Sequence, residues 1–356
     1  MRIPRRTLLS GAAAMAACRG RTGHAQSRGP APPLKSLAPW PVGCTTMTGE
    51  LAEPAYAQLL ATHFSQLTPE WEMKMEYILQ DDGSFRFDRP DAIAAFAREH
   101  GMRLYGTTLV WYSQNPVAFN RLDGAGQRFA DAYRNYILAV AGRYHGQVVA
   151  WDTVNEPVMG DGTGLRDCLW SRNLGQEDYM VRAFQHAAEA DPNALLFINE
   201  YDLENIPKKR ATFMALVERL LKRGAPVKGI GTQTHIAASL APGEVTKTIK
   251  ELATFGLPIH VSELDVSLNR AAGVLSDRIV LEAQQARLYG EVAEAFAALP
   301  QRQRFAFTIW GLRDKDSWLR SDKENPSPPW DTPLLFDDLG NAKNSFWAVA
   351  DAWRRH

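Results

Sequence analysis

Eight short runs of β-type residues, each set off from the next by a stretch long enough for a helix, constrain this chain more than any other feature. They are VGCTT from residue 42, HFSQLT from 63, RLYGTTLVW from 103, VVAWDTVNE from 148, LLFINEY from 195, GIGTQTHI from 229, PIHVSELDV from 258 and FAFTIWGL from 305. Parallel strands need helical crossovers, so this alternation predicts repeated βα units. Eight such units are the number that closes a barrel. Helical period is clear in 128–144, where Phe129, Tyr133, Ile137, Val140, Ala141 and Tyr144 share a face. It recurs in 208–223, with Phe213, Leu216, Leu220 and Leu221 on the apolar side, and in the long segment 275–297. The expected fold is α/β, a single (β/α)8 TIM barrel over residues 40–356. A doubly wound open sheet is the competing arrangement, but no glycine-rich phosphate turn follows the first run.

The ends of the chain read differently. Residues 1–25 have the form of an export signal: Arg5 and Arg6, then Thr7, Leu8 and Leu9, an alanine-rich core, and small residues before a cut after Ala25. The paired arginines resemble a twin-arginine signal, and Cys18 after Met15-Ala16-Ala17 resembles a lipoprotein box. A periplasmic or extracellular protein is therefore expected, with lipid attachment at Cys18 as a variant of that reading. Residues 26–39, rich in Pro, Ser and Gly, read as a linker. The longest apolar run, about Leu8 to Ala17, is too short for a transmembrane helix, which needs about 20 residues. The chain has 40 basic and 40 acidic residues; cleavage after Ala25 removes five arginines and no acid, leaving a net charge of −5. With no basic stripe, that balance argues against nucleic acid as a partner. Cys44 and Cys168 show no metal spacing and are expected as unpaired thiols. A monomer is expected.

In a barrel of this kind the chemistry lies at the C-terminal ends of the strands. The residues at those ends are polar and aromatic. They are Glu70, Glu72 and Lys74 after the second run, Trp111, Tyr112 and Gln114 after the third, and Asn155 and Glu156 after the fourth. Then come Asn199, Glu200 and Tyr201, Gln233 and His235, Glu263 and Asp265, and finally Trp310 and Trp318. Indoles stack on the C–H faces of sugars, while amides and carboxylates bond their hydroxyls. Cleaving a glycosidic bond needs two carboxyl groups flanking it. Glu156 and Glu263, three βα units apart, are placed to face one another across the barrel mouth. Glu200 and Asp265 suit ion-pair or supporting roles, and a satisfied barrel-core histidine is the lesser reading of His235.

Taken together, TPEWEMK (68–74), GTTLVWYSQNP (106–116), WDTVNEP (151–157), INEYD (198–202), GIGTQTH (229–235), VSELDV (261–266), WGLRDKDSW (310–318) and PLLFD (333–337) resemble family 10 of the glycoside hydrolases, the endo-β-1,4-xylanase family, over residues 40–355. The resemblance implies a retaining hydrolase of β-1,4-xylan or xylo-oligosaccharides, with Glu156 as acid/base and Glu263 as nucleophile. It implies that Asn155 holds the 2-hydroxyl at the cleavage point, that His235 orients Glu263, and that Gln233, Trp111 and Trp310 line that subsite. Glu70, Lys74 and Gln114 would bind the next sugar on the non-reducing side, and Tyr201 and Trp318 would face the leaving group. No metal and no organic cofactor is expected. The chain departs from the family where Trp71 replaces Asn, Met75 replaces Trp, and Thr107 and Tyr112 replace His. Trp71 is expected to project into the cleft beside Glu70, and Thr107 to lose a contact with the sugar at the cleavage point. A hydrolase of another β-linked or decorated glycan, and a non-catalytic glycan-binding barrel, are the alternatives.

Overall fold

In the computed structural model, which describes residues 29–271, 277–322 and 326–356, the order of strands in the sheet follows their order in the chain. The strands are β1 (Val42–Thr46), β2 (Gln66–Pro69), β3 (Arg103–Trp111), β4 (Val148–Asn155), β5 (Leu195–Glu200), β6 (Gly229–Thr232), β7 (His235–Ala237), β8 (Ile259–Ser267) and β9 (Arg304–Ile309). Each pairs in parallel with its neighbour; β6 pairs with β8, and β9 returns to β1. Eight strands thus close a parallel barrel with helices between them. The sixth run supplies two strands because the chain bends at Gln233 and Thr234, the latter with φ +63°. That bend releases β7 to pair with the far end of β8, setting His235 opposite Asp265.

Local chemistry explains the boundaries. In HFSQLT the first residue, His63, closes the helix Pro54–His63, so β2 begins only at Gln66. Helices Gln127–Arg143, Pro207–Lys222 and Arg278–Ala297 occupy the segments of helical period. Leu221, expected on the apolar face of the second, is instead 37% exposed, because Phe213, Leu216, Val217 and Leu220 already fill the side that meets the sheet. Residues 34–36 of the expected linker form a turn of 3-10 helix with Leu34 fully buried, and Lys35 donates to the carbonyl of Ala61. The ordered fold therefore begins before residue 40. The expected export signal, Cys18 included, lies outside the described residues.

The barrel interior is plugged at its N-terminal end by rings. Tyr105, Phe197, His260 and Phe305 meet with centroids 4.5 to 6.0 Å apart, each from a different strand. All nine residues of β8 are buried, as expected for a strand covered on both faces. Each large side chain fully buried in this way contributes about 1.5–3 kcal/mol. The strands are thereby a rigid frame, and the side chains at their other end inherit fixed positions.

Candidate active site

Glu156 follows directly on β4, and Glu263 lies within β8. The Glu156 N–H donates to the carbonyl of Asn199 on β5 at 2.8 Å, and the Glu263 N–H donates to that of Gln233 at 3.0 Å. Both side chains are mostly buried, at 8% and 6% exposure. They open into one cleft of about 920 Å³, shared with Lys74, Thr107, Trp111, Gln114, Asn155, Tyr201, Gln233, His235, Trp310 and Trp318. Among the described residues, Gln114, Glu156, Asp202 and Thr234 are the only non-glycine residues with positive φ, and all follow strand ends. Such conformations cost on the order of 1–3 kcal/mol each and persist where the surroundings over-determine them.

A continuous amide network fixes the two carboxyl groups. The Asn199 side-chain amide donates to Glu263 Oε1 at 2.7 Å and to Asn155 Oδ1 at 3.0 Å, while its own oxygen accepts from the Ser262 hydroxyl at 2.8 Å. Gln233 Nε2 donates to Glu156 Oε1 at 2.9 Å and to Asn155 Oδ1 at 3.3 Å. On the other side of Glu263, His235 Nε2 stands 3.4 Å from Oε2 while its Nδ1 meets Asp265 at 2.8 Å. Burial alone would lower this imidazole, but the Asp265 and Glu263 carboxylates outweigh it and raise His235 to about 10. It is therefore a cation at neutral pH, donating to Asp265 and ion-paired with Glu263. Asp265 accepts a further bond from the Trp318 indole at 2.8 Å, which ties that ring to the same chain of contacts.

The remaining expected residues separate into two groups. Lys74 places its ammonium 4.9 Å above the Trp111 ring, beside Gln114 in the cleft. Glu70 does not line the cleft, but burial, with Glu50 close by, pushes its carboxyl up to about 8, and Lys74 and Glu263 also act on it. Trp71 departs from expectation. Its indole donates to Glu76 at 3.2 Å and its ring sits edge-on to Tyr77 at 5.0 Å, so it packs on the following helical turn and is absent from the cleft wall. Thr107 does line the cleft, yet its hydroxyl is committed to Asp152 at 2.8 Å. Asp152 is buried against Tyr105 as well, and burial with the nearby Glu263 pushes it up to about 8.

Three participants escape a reading by position alone. Asn199, noted at the end of its run but given no role, is the junction of the network. Arg166 lies in a loop, where its guanidinium stacks 3.9 Å from the Tyr112 ring and donates to Tyr201 Oη at 2.6 Å and to the Glu156 carbonyl at 3.0 Å. Lys209 lies on a helix and pairs with Glu200 at 2.8 Å. An adjacent amide and carboxylate at one strand end was the available signal for Asn199; the other two carry none. Among the described residues no three His, Cys, Asp or Glu side chains are grouped to hold a metal ion. Cys44 and Cys168 are buried and unpaired.

Known proteins resemble this chain over most of its length. Endo-1,4-beta-xylanase B of Paenibacillus barcinonensis is 36% identical over 303 residues, covering 82% of this chain and 90% of that protein. Endo-1,4-beta-xylanase A of Thermoanaerobacterium saccharolyticum is 35% identical over 88% of this chain, which spans only 27% of that longer protein. The crystal structure of xylanase XynB from Paenibacillus barcinonensis, complexed with a conduramine derivative, superposes with a TM-score of 0.81 at 32% identity, over 90% of this chain and 98% of that one. The model of glycosyl hydrolase family 10 matches residues 35–352, the whole barrel with both carboxylates and the network between them, and to that family this chain belongs.

Proposed function

We propose that this protein is a retaining hydrolase of β-1,4-xylan or xylo-oligosaccharides, with Glu263 as nucleophile and Glu156 as general acid and base. The observation that carries the reading is the pair of buried carboxyl groups held in one indole-lined cleft by Asn155, Asn199 and Gln233. Glu263 receives the Asn199 amide at Oε1 and stands beside the His235 imidazole at Oε2, contacts that hold it in place for attack. In the first step it attacks the anomeric carbon as the bond to the glycosidic oxygen breaks, and Glu156 gives that oxygen its proton. In the second, Glu156 takes a proton from water as the water oxygen displaces Glu263, restoring both groups with net retention. Trp111, Trp310 and Gln233 suit the sugar at the cleavage point, with Asn155 on its 2-hydroxyl. Lys74 and Gln114 suit the next sugar toward the non-reducing end, and Tyr201 and Trp318 the leaving group. The names and identities of the relatives support xylan as the chain cleaved.

The test is turnover of a panel of β-linked glycans, xylan among them, by the wild type and by Glu156→Ala and Glu263→Ala. Loss of general acid/base help costs about 10²–10⁴-fold, and loss of the nucleophile should leave no measurable turnover. A folded variant of either kind with near-wild-type turnover would overturn the assignment.

A further inference from the structure

Where the end of β4 meets the end of β5 lies an ion pair that the mechanism above does not use. Lys209 and Glu200 are both fully buried, 2.8 Å apart. Glu200 is the last residue of β5, while Lys209 stands in the first turn of the helix Pro207–Lys222. The carboxylate holds the end of β4 to the end of β5: Oε2 accepts the N–H of Val158, two residues beyond Glu156, at 2.9 Å, and Oε1 accepts the N–H of Tyr201 at 3.1 Å. The loop after Glu156 also rests on the same helix. Thr212 donates to the carbonyl of Gly162, and a side chain at Gly162 would meet the backbone nitrogen of Lys209 at 2.4 Å. The ammonium lies 3.0 Å from the centre of the Tyr201 ring, on the wall of the cleft.

A buried carboxylate that accepts backbone N–H groups does so best when ionised, and its ionisation needs a counter-charge. Burial pushes Glu200 up to about 7, against the pull of Lys209. Lys209 is the ammonium that faces Glu200, Glu156 and Asp202 together. We propose that Lys209 is a positioning residue: through Glu200 it fixes the backbone just beyond Glu156, at Val158, to the end of β5, so that the acid's carboxyl group points at the glycosidic oxygen. This rests on the reading of Glu156 as the acid.

The leaving group separates a positioning role from a merely structural one. A dinitrophenyl leaving group departs without a proton, whereas an unsubstituted phenyl group or a sugar needs one. Kinetics of Lys209→Met and of Glu200→Gln on phenyl and dinitrophenyl β-xylobiosides should show a fall in kcat/KM, which reports the first step alone, of about tenfold or more on the phenyl substrate. On the dinitrophenyl substrate the fall should be no more than about threefold, and the double variant should lose no more than the worse single one. Equal losses on both substrates, or no loss on either, would overturn the proposal. Far-ultraviolet circular dichroism and melting establish which variants fold, and either one alone suffices. Glu156→Ala measured beside them separates the two claims. If it lacks the leaving-group dependence, the reading of the acid fails; if it shows it and the Lys209 and Glu200 variants do not, only the present inference fails.

Discussion

His235 lies between Asp265 at 2.8 Å and Glu263 at 3.4 Å, and its raised pKa links the site to stability. A histidine free in the unfolded chain titrates near 6.5, and in the fold it titrates near 10. The folded state therefore binds the proton more tightly. The stability from this coupling is fully present below about pH 6.5 and is lost as pH rises toward 10. Melting of the wild type and of His235→Asn should differ most at pH 6, with the gap closing at pH 10; a gap independent of pH would show that the imidazole is not the cation described. Trp71 gives a contrasting expectation, since it is bonded to Glu76 and packed on Tyr77 outside the cleft. Trp71→Ala should cost about 1 kcal/mol or more in stability, from the lost aromatic contact and hydrogen bond. KM for the glycan should stay within about twofold, because uniform binding is lost only when a contacting group is removed. A large rise in KM with unchanged melting would return this ring to the cleft.

At the scale of the element, the site depends on what neighbouring strands leave empty. Gly231 on β6 has no side chain, and a Cβ there would meet Asn199 Oδ1 at 2.2 Å. The gap is where Asn199 from β5 lies as it reaches Glu263 and Asn155. Gly231→Ala should displace that amide and lower kcat by about tenfold to a hundredfold, since small misplacements of reacting groups cost this much. Unchanged turnover with a normal melting temperature would show that Asn199 can shift without consequence. The bend at Thr234 works in the same way. By letting β7 leave the line of β6, it brings His235 level with Asp265, a register that an uninterrupted strand would not give.

For the molecule as a whole, the proposed double displacement makes three predictions. Proton NMR of the product first formed from a β-xylo-oligosaccharide should show the β-anomer, and a crystal structure should place the Glu156 and Glu263 carboxyl groups about 5–5.5 Å apart. An α-anomer, or a separation of roughly 6.5–9.5 Å, would point to inversion. Because the two carboxyls supply proton transfer and nucleophile, dialysis against a chelator should leave turnover unchanged; loss restored by a divalent ion would contradict a mechanism of carboxylates alone.

The sequence by itself determined the barrel and its working face. Strand and helix periods are local properties, and eight alternations without a glycine-rich phosphate turn favour a closed barrel over an open sheet, so the positions of Glu156, Glu263, Asn155, Gln233 and His235 near a common rim followed from the order of the runs. It also carried the motifs that announce the family. Contacts between residues distant in the chain were decided only in three dimensions. Trp71 could face the cleft or the next turn on sequence alone, and packing against Tyr77 with a partner in Glu76 settled it. Leu34 looked like part of a linker until the barrel offered it a fully buried place. The split of the sixth run, the Asn199 junction and the buried Lys209–Glu200 pair arise because strand ends converge, and convergence is a property of the closed sheet that no single run encodes.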